Sequence, residues 1–475
     1  MSQPVDTRPF WAILLSKIYR PAVFAFVIIL FLFIIKMPTP DGLTEEGQRA
    51  IAVFSVCLIL WVTSLIPLQI TSLLAIILLP LMGIMDSKKA YSLFGNEAVF
   101  FILGAFILAA AMMASGLSTR LALAVLSRFD KTPKSLLLAM FLFPAFLSFL
   151  MSEHAVAAMM FPITLEIAKS LKLSTNDSNY GKAIFLAPTW GVIIGGVATF
   201  LGGARNPLAV GILKETTGQS IGFFEWMIAV VPTVMVMLCI AFFLLLKFFK
   251  PEIDDIKNAR EVLEHKNKEL GNLSKNEKGI AILMVITIFC WIFFGEKIGL
   301  ANIAIAAVVL TFVFKLVKWK HVEQYVNWGI ILMYGGAIAL GFGIEKSGAA
   351  QWAASVTISS FVTSPFFVII ILSSLSLLLT EGVSNSAVVA ILMPVGISIA
   401  KSYNIDPKII TLIIAVPSGL DFCLPMGTPA NAIAYSSGYI KLKDLLVPGA
   451  VLGIVSLLVF LLMVKFYWPM LGMNI

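Results

Sequence analysis

Ser152-Glu-His-Ala-Val-Ala-Ala-Met-Met-Phe-Pro-Ile163 returns 232 residues later as Ser384-Asn-Ser-Ala-Val-Val-Ala-Ile-Leu-Met-Pro-Val395. A second pair keeps the same step: Gly104-Ala-Phe-Ile-Leu-Ala-Ala-Ala-Met-Met-Ala-Ser-Gly116 against Gly336-Ala-Ile-Ala-Leu-Gly-Phe-Gly-Ile-Glu-Lys-Ser-Gly348. Either match alone carries little in so apolar a chain. A shared offset that also aligns Ser, Gly and Pro marks an internal repeat. In each copy two apolar arms flank a polar triplet, Ser152-Glu153-His154 and Ser384-Asn385-Ser386, and the triplets read as hairpin tips. Pro144 and Pro162 stand about eight residues from the first tip, roughly 12 Å of helix and close to half of a hydrocarbon core of about 30 Å. Non-helical backbone at that depth is tolerated only where it faces protein or a water-filled cavity, so the pattern predicts re-entrant hairpins that line a site. Two full spans joined by a surface turn are the alternative.

The surroundings agree with a lipid solvent. The chain has 475 residues, 59% hydrophobic and 13% charged, with a mean hydropathy of +0.97, which excludes an ordinary soluble domain. Apolar runs of roughly 17–25 residues, each long enough to cross a bilayer, recur from Phe10 to Trp468. Spans are expected to begin near residues 12, 49, 68, 98, 182, 226, 280, 299, 327, 408 and 445. Arg8, Lys17 and Arg20 flank the first run without a small-residue cleavage site, so it reads as a retained span. The net charge of +8 gathers on alternate loops, Arg8 to Arg20, Arg120 to Lys134, Lys169 to Lys182, Lys247 to Lys278, Lys315 to Lys320, and Lys441 with Lys443. That bias predicts a cytoplasmic N-terminus and an external C-terminus, and it removes the need for a nucleic-acid partner. Cys57, Cys239, Cys290 and Cys423 lie singly in apolar runs without metal-ligand spacing and read as packing residues.

The divisions follow. Residues 1–48 hold an N-terminal span and external loop. Residues 49–249 form a first repeat with a hairpin over 135–170 and a broken helix over 182–213. Residues 250–279 are a polar cytoplasmic linker, within which Glu252 to Glu269 could form a charged surface helix. Residues 280–475 form a second repeat with a hairpin over 364–400 and a broken helix over 408–437. Five crossings per repeat is an odd number, so the two copies enter the membrane from opposite sides, an arrangement typical of transporters with a midplane site.

The broken helices carry their own signals. Gly195-Gly196 and Gly202-Gly203-Ala204-Arg205-Asn206-Pro207 interrupt the first, and Leu424-Pro-Met-Gly-Thr-Pro-Ala-Asn431 the second, with Asn206 and Asn431 related by 225 residues. Such breaks free backbone N–H and C=O groups, and the positive ends of helix dipoles favour anions.

The two triplets, the Pro-x-Asn type loops and their order along nearly the whole chain resemble the divalent anion:sodium symporter family of dicarboxylate transporters. Its members typically carry Ser-Asn-Thr at both tips and Thr/Ser-Pro-Pro-Asn in both broken helices. The resemblance implies an all-α polytopic membrane protein of about 11 transmembrane helices plus two re-entrant hairpins, a homodimer working by an elevator motion. It implies substrate contacts from Ser152, Glu153, His154, Ser384, Asn385, Ser386, Thr428, Pro429, Asn206 and Asn431. If sodium binds, the resemblance points to Ser384, Asn385, Ser386, Gly427 and Asn431.

The first half departs from that pattern. Glu153 and His154 stand for Asn and Thr, and Ala204 and Arg205 for the tandem prolines. Sodium wants neutral oxygens, so a guanidinium there repels it and could supply the positive charge itself, with His154 as a second stand-in. An ionised residue at mid-membrane needs a partner, for which Glu153, Asp421 or a bound anion are available. The expectation is an exchanger of C4 or C5 dicarboxylates, malate, succinate, fumarate or 2-oxoglutarate, working without sodium in a bacterial inner membrane. A sodium-coupled dicarboxylate, sulfate or citrate symporter and an anion channel are the alternatives. Arg205 as a structural charge and His154 as a hydrogen-bonding or proton-coupling group also stay open. No nucleophile, metal-ligand set or cofactor loop accompanies Glu153 and His154, so no enzyme and no cofactor is expected. Met112, Met113, Met159 and Met160 lack Cys or His partners and read as packing rather than a copper path.

Overall fold

The computed structural model describes residues 10–175, 177–358 and 364–473; Arg8, used above for orientation, lies outside them. Every regular element among these residues is helical. The chain opens with α1 (Phe10–Lys36), α2 (Glu45–Thr63) and α3 (Leu68–Leu81). Thr44 ends the loop before α2 by accepting from the Gly47 N–H at 2.9 Å, which satisfies a donor that the first turn leaves orphaned. The short α4 (Ser87–Ser92) precedes α5 (Glu97–Ala114) and α6 (Leu117–Leu126). Then come the paired arms α7 (Pro133–Leu147) and α8 (Glu153–Ser170), followed by α9 (Asn179–Gly196), an irregular stretch, and α10 (Arg205–Thr217). The half closes with α11 (Phe223–Phe248), and the polar stretch contains α12 (Lys257–Glu269).

The second half repeats this order. It runs α13 (Lys275–Ile298), α14 (Leu300–Val313), α15 (Trp319–Glu323), α16 (Trp328–Lys346) and α17 (Ala349–Ile358). Paired arms α18 (Pro365–Thr380) and α19 (Asn385–Tyr403) follow, then the interrupted α20 (Pro407–Ala415) and α21 (Pro429–Ser436), and α22 (Leu442–Phe466). Proline stands in the first turn of α7, α18, α20 and α21, where its missing N–H has no helical partner to lose.

Eight helices among the described residues are long and apolar enough to cross a membrane. Their outward faces are apolar: Phe26, Ile29 and Phe33 on α1, Val285, Phe289 and Phe293 on α13, and Ile454, Leu458 and Leu462 on α22 are all exposed. An exposed apolar belt of that extent requires lipid. The all-α polytopic membrane class expected from hydropathy is the one the chain adopts.

Inside lipid, helices are held together by close packing of small residues. Gly191 and Gly195, one turn apart on α9, lie so close to α7 that a Cβ would overlap the carbonyls of Phe141 and Ala145. Gly336 of α16 meets the Ser72 backbone of α3, and Gly104 of α5 meets Ala304 of α14 in the same way. The linker helix α12 is tied to the first pair of arms and to α6. Lys266 pairs with Glu166 of α8 at 2.8 Å, Asn258 donates to the Ser170 carbonyl at 3.2 Å and Arg260 donates to the Asp130 carbonyl at 2.8 Å.

Candidate functional site

The first residues of three helices meet at one place, Glu153 opening α8, Arg205 opening α10 and Asn385 opening α19, and Asp421 of the loop that leads into α21 joins them. Each helix start adds its partial positive charge. Both polar triplets and both broken-helix loops are thereby brought together, one set from each half of the chain.

At the centre Arg205 forms a two-pronged ion pair with Glu153, Nη1 to Oε1 at 2.8 Å and Nη2 to Oε2 at 3.2 Å. Both side chains are almost wholly buried, at 1% and 2% exposure. Glycines make room for the pair. A Cβ at Gly196 would overlap the Glu153 carboxylate, and a Cβ at Gly419 would overlap the guanidinium. Of the partners available to Arg205, the fold supplies Glu153, so its charge is balanced within the protein rather than left bare. Burying two ions costs several kcal/mol each, and only a close, well-oriented pair offsets that cost.

The pair is linked to the second half through Asn385. The Thr380 hydroxyl has a single proton and donates it to the Ser418 carbonyl at 2.6 Å, so it accepts from Asn385. In that orientation the Asn385 amide donates to Thr380 Oγ1 at 3.0 Å and to Asp421 Oδ2 at 3.3 Å, and its oxygen accepts from Arg205 Nη1 at 3.2 Å. Glu153, Arg205, Asn385 and Asp421 thus form one buried chain of polar contacts. The sequence had offered Asp421 as a partner of Arg205; it is reached through Asn385 instead.

Asn206 and Asn431 brace the two interrupted loops in the same way. Asn206 Nδ2 donates to the carbonyls ten and seven residues before it, Gly196 at 3.2 Å and Thr199 at 2.7 Å. Asn431 Nδ2 does so to Asp421 at 2.9 Å and Leu424 at 3.1 Å, again ten and seven residues back. Carbonyls that a broken helix leaves unpaired are satisfied by one side chain in each repeat.

The remaining predicted residues sit around this centre. Ser384 caps α19 by accepting from the Ala387 N–H at 3.3 Å. Ser386 and Thr428 are buried, Ser152 is half-buried and Pro429 is exposed. The His154 side chain is 34% exposed, with Nδ1 3.8 Å from Glu153 Oε1. Buried Asp421 Oδ1, Thr428 Oγ1, Asn431 Oδ1 and Asn206 Oδ1 make no hydrogen bond among the described residues. No group of three or more His, Cys, Asp or Glu that could hold a metal occurs among them either. Two residues escaped the motif reading. Gly419 has no pattern of its own, whereas Glu381, an acid three positions before a tip triplet in an apolar arm, had a signal in its depth alone.

Residues 20–474 match the family described as the sodium:sulfate symporter transmembrane region. The chain is 29% identical, over 97% of its own length and 93% of the relative's, to the sodium-dependent dicarboxylate transporter SdcS of Staphylococcus saprophyticus. It is 30% identical, over 94% and 91%, to SdcS of Staphylococcus aureus. Among solved structures it is similar in fold to MtrF of Neisseria gonorrhoeae, described within a class of antimetabolite efflux pumps, with a TM-score of 0.57, 14% identity and 93% and 94% coverage. It is similar also to the YdaH transporter of Alcanivorax borkumensis, with a TM-score of 0.53, 13% identity and 81% and 90% coverage. Taken with the paired triplets and braced loops, a family match over almost the whole chain places this protein among the divalent anion:sodium symporters, in the sodium:sulfate symporter family.

Proposed function

We propose that the protein is a secondary transporter of C4 or C5 dicarboxylates that exchanges one dicarboxylate for another without sodium. The substrate class is borrowed from the relatives named as dicarboxylate transporters, and three helix N-termini with a broken loop around one polar centre suit a dianion. The observation that carries the mode of coupling is the buried Arg205–Glu153 pair. In the first half, where the resemblance puts a sodium ion, the cation is tethered to the chain. A tethered cation cannot dissociate on the far side, so it draws no energy from a sodium gradient, and in this reading a counter-transported anion supplies the driving force.

In this reading α7 with α8 and α18 with α19 are re-entrant hairpins, and the two repeats are inverted. The N-terminus is cytoplasmic, the C-terminus external, and the protein works as a homodimer with an elevator motion in a bacterial inner membrane. The substrate contacts are Ser152, Glu153, His154, Ser384, Asn385, Ser386, Thr428, Pro429, Asn206 and Asn431.

A second reading has one specific support. Asp421 Oδ1, Thr428 Oγ1 and Asn431 Oδ1, all in the second half, are buried without hydrogen-bond partners, and unpaired oxygens suit a cation. The SdcS relatives are named as sodium-dependent, so a single sodium at that half is the competing mode. Binding separates the two. Succinate is expected to raise the melting temperature of the purified protein equally in sodium and in choline buffer, because a ligand bound to the folded state alone stabilises it. Stabilisation that needs sodium favours the second reading.

A further inference from the structure

Glu381 ends α18 just before the second tip, and its carboxylate receives three consecutive backbone N–H groups of the second broken loop. Phe422 N donates to Oε1 at 3.0 Å, Cys423 N to both oxygens at 3.1 Å and Leu424 N to Oε2 at 3.0 Å. Successive N–H groups aimed at one point form an anion nest, and here the anion belongs to the protein. The first half has a tie in the same register. Subtracting 232 from Glu381 gives Phe149, and subtracting 225 from Leu424 gives Thr199. The Thr199 hydroxyl donates to the Phe149 carbonyl at 2.8 Å. The two repeats thus join the same two places, the end of a hairpin arm and the broken loop, by unrelated chemistry.

We infer that Glu381 is a positioning residue for transport: its carboxylate locks the second broken loop to the second hairpin, so that the substrate-facing Thr428, Pro429 and Asn431 hold their places relative to Asn385 and Ser386. Hydrogen bonds to a charged group are about twice as strong as neutral ones, so the second tie is the stronger of the two. The inference rests on the transport reading for its activity consequence, but the tie itself can be read without any substrate.

Cys423 is half-buried, inside the tied segment, and reports on it. In a background of Cys239→Ser and Cys290→Ser, the rate at which a small maleimide labels Cys423, taken for each variant at the high-pH plateau where the thiol is fully ionised so that the charge of the neighbouring carboxylate does not enter, measures how often the loop opens. Glu381→Ala is expected to raise that rate at least about 10-fold, by the scale of a lost charge-assisted hydrogen bond. Formate, a carboxylate small enough to enter the emptied nest beside exposed Gly382, is expected to slow it again, whereas neutral formamide is not. Succinate exchange by Glu381→Ala should fall about 10- to 100-fold in kcat/KM and recover with formate. Thr199→Ala should lose less than Glu381→Ala in the same assay. Glu381→Gln keeps the side-chain shape and guards against a folding failure, and it too should label faster than the parent. Parent-like labelling in both Glu381 variants, or rescue by formamide as good as by formate, overturns the inference. Absence of succinate exchange in the parent counts against the transport reading alone, since labelling still decides the tie.

Discussion

At the scale of single residues, the site depends on a buried ion pair whose members cannot be removed one at a time. Glu153→Gln leaves Arg205 unbalanced and is expected to cost about 3–5 kcal/mol, seen as a loss of folded protein in size-exclusion chromatography or of more than ~100-fold in transport. Replacing Glu153→Asn, His154→Thr and Arg205→Pro together restores the tip triplet and one of the two prolines and removes the ion pair from the first half. That triple variant is expected to show uptake that sodium stimulates, measured against the parent in sodium and choline. Gly419→Ala puts a methyl group into the guanidinium and should cost about 1–3 kcal/mol by overpacking, read as a lowered melting temperature. The triplets and the two asparagines were legible because they recur in register. The partner of Arg205 was not, because three candidates satisfy its charge equally well on paper and only the backbone path selects Glu153. The role of Glu381 was hidden for a related reason: its depth in an apolar arm marks it, but its partners are N–H groups, which every residue has.

Elements tell a similar story. The breaks between α9 and α10 and between α20 and α21 announce themselves through Gly and Pro, but what keeps each break in shape is one asparagine bonded ten and seven residues back. Asn431→Ala strands two carbonyls and is expected to cost about 1–3 kcal/mol, detectable in thermal unfolding, with Asn206→Ala behaving alike. A clear difference between the two would contradict their equivalence. By contrast Lys266 and Glu166, which join α12 to α8, are both partly exposed. Lys266→Ala should therefore change stability by less than about 1 kcal/mol. Hydropathy marked apolar runs near residues 68 and 299 as spans, yet α3 and α14 have only 14 residues each, roughly 21 Å at the helical rise. A run of apolar letters does not show where a helix stops inside it; Gly83 beyond α3 and Lys315 beyond α14 adopt positive φ, +67° and +54°, just past those ends.

For the whole molecule, class was readable from composition because a chain this apolar must solvate its surface with lipid. Arrangement was harder. The close approaches of α7 with α9, α3 with α16 and α5 with α14 depend on single glycines and small residues, which hydropathy counts as weakly apolar and otherwise passes over. The central claim is that a cation fixed to the chain replaces one that would come and go, and labelled succinate uptake into proteoliposomes of the purified protein tests it. Vesicles are loaded with dicarboxylate or left empty, in sodium or in choline buffer. Uptake that requires internal dicarboxylate and is the same in both buffers is the predicted result; sodium-driven accumulation into empty vesicles would contradict it.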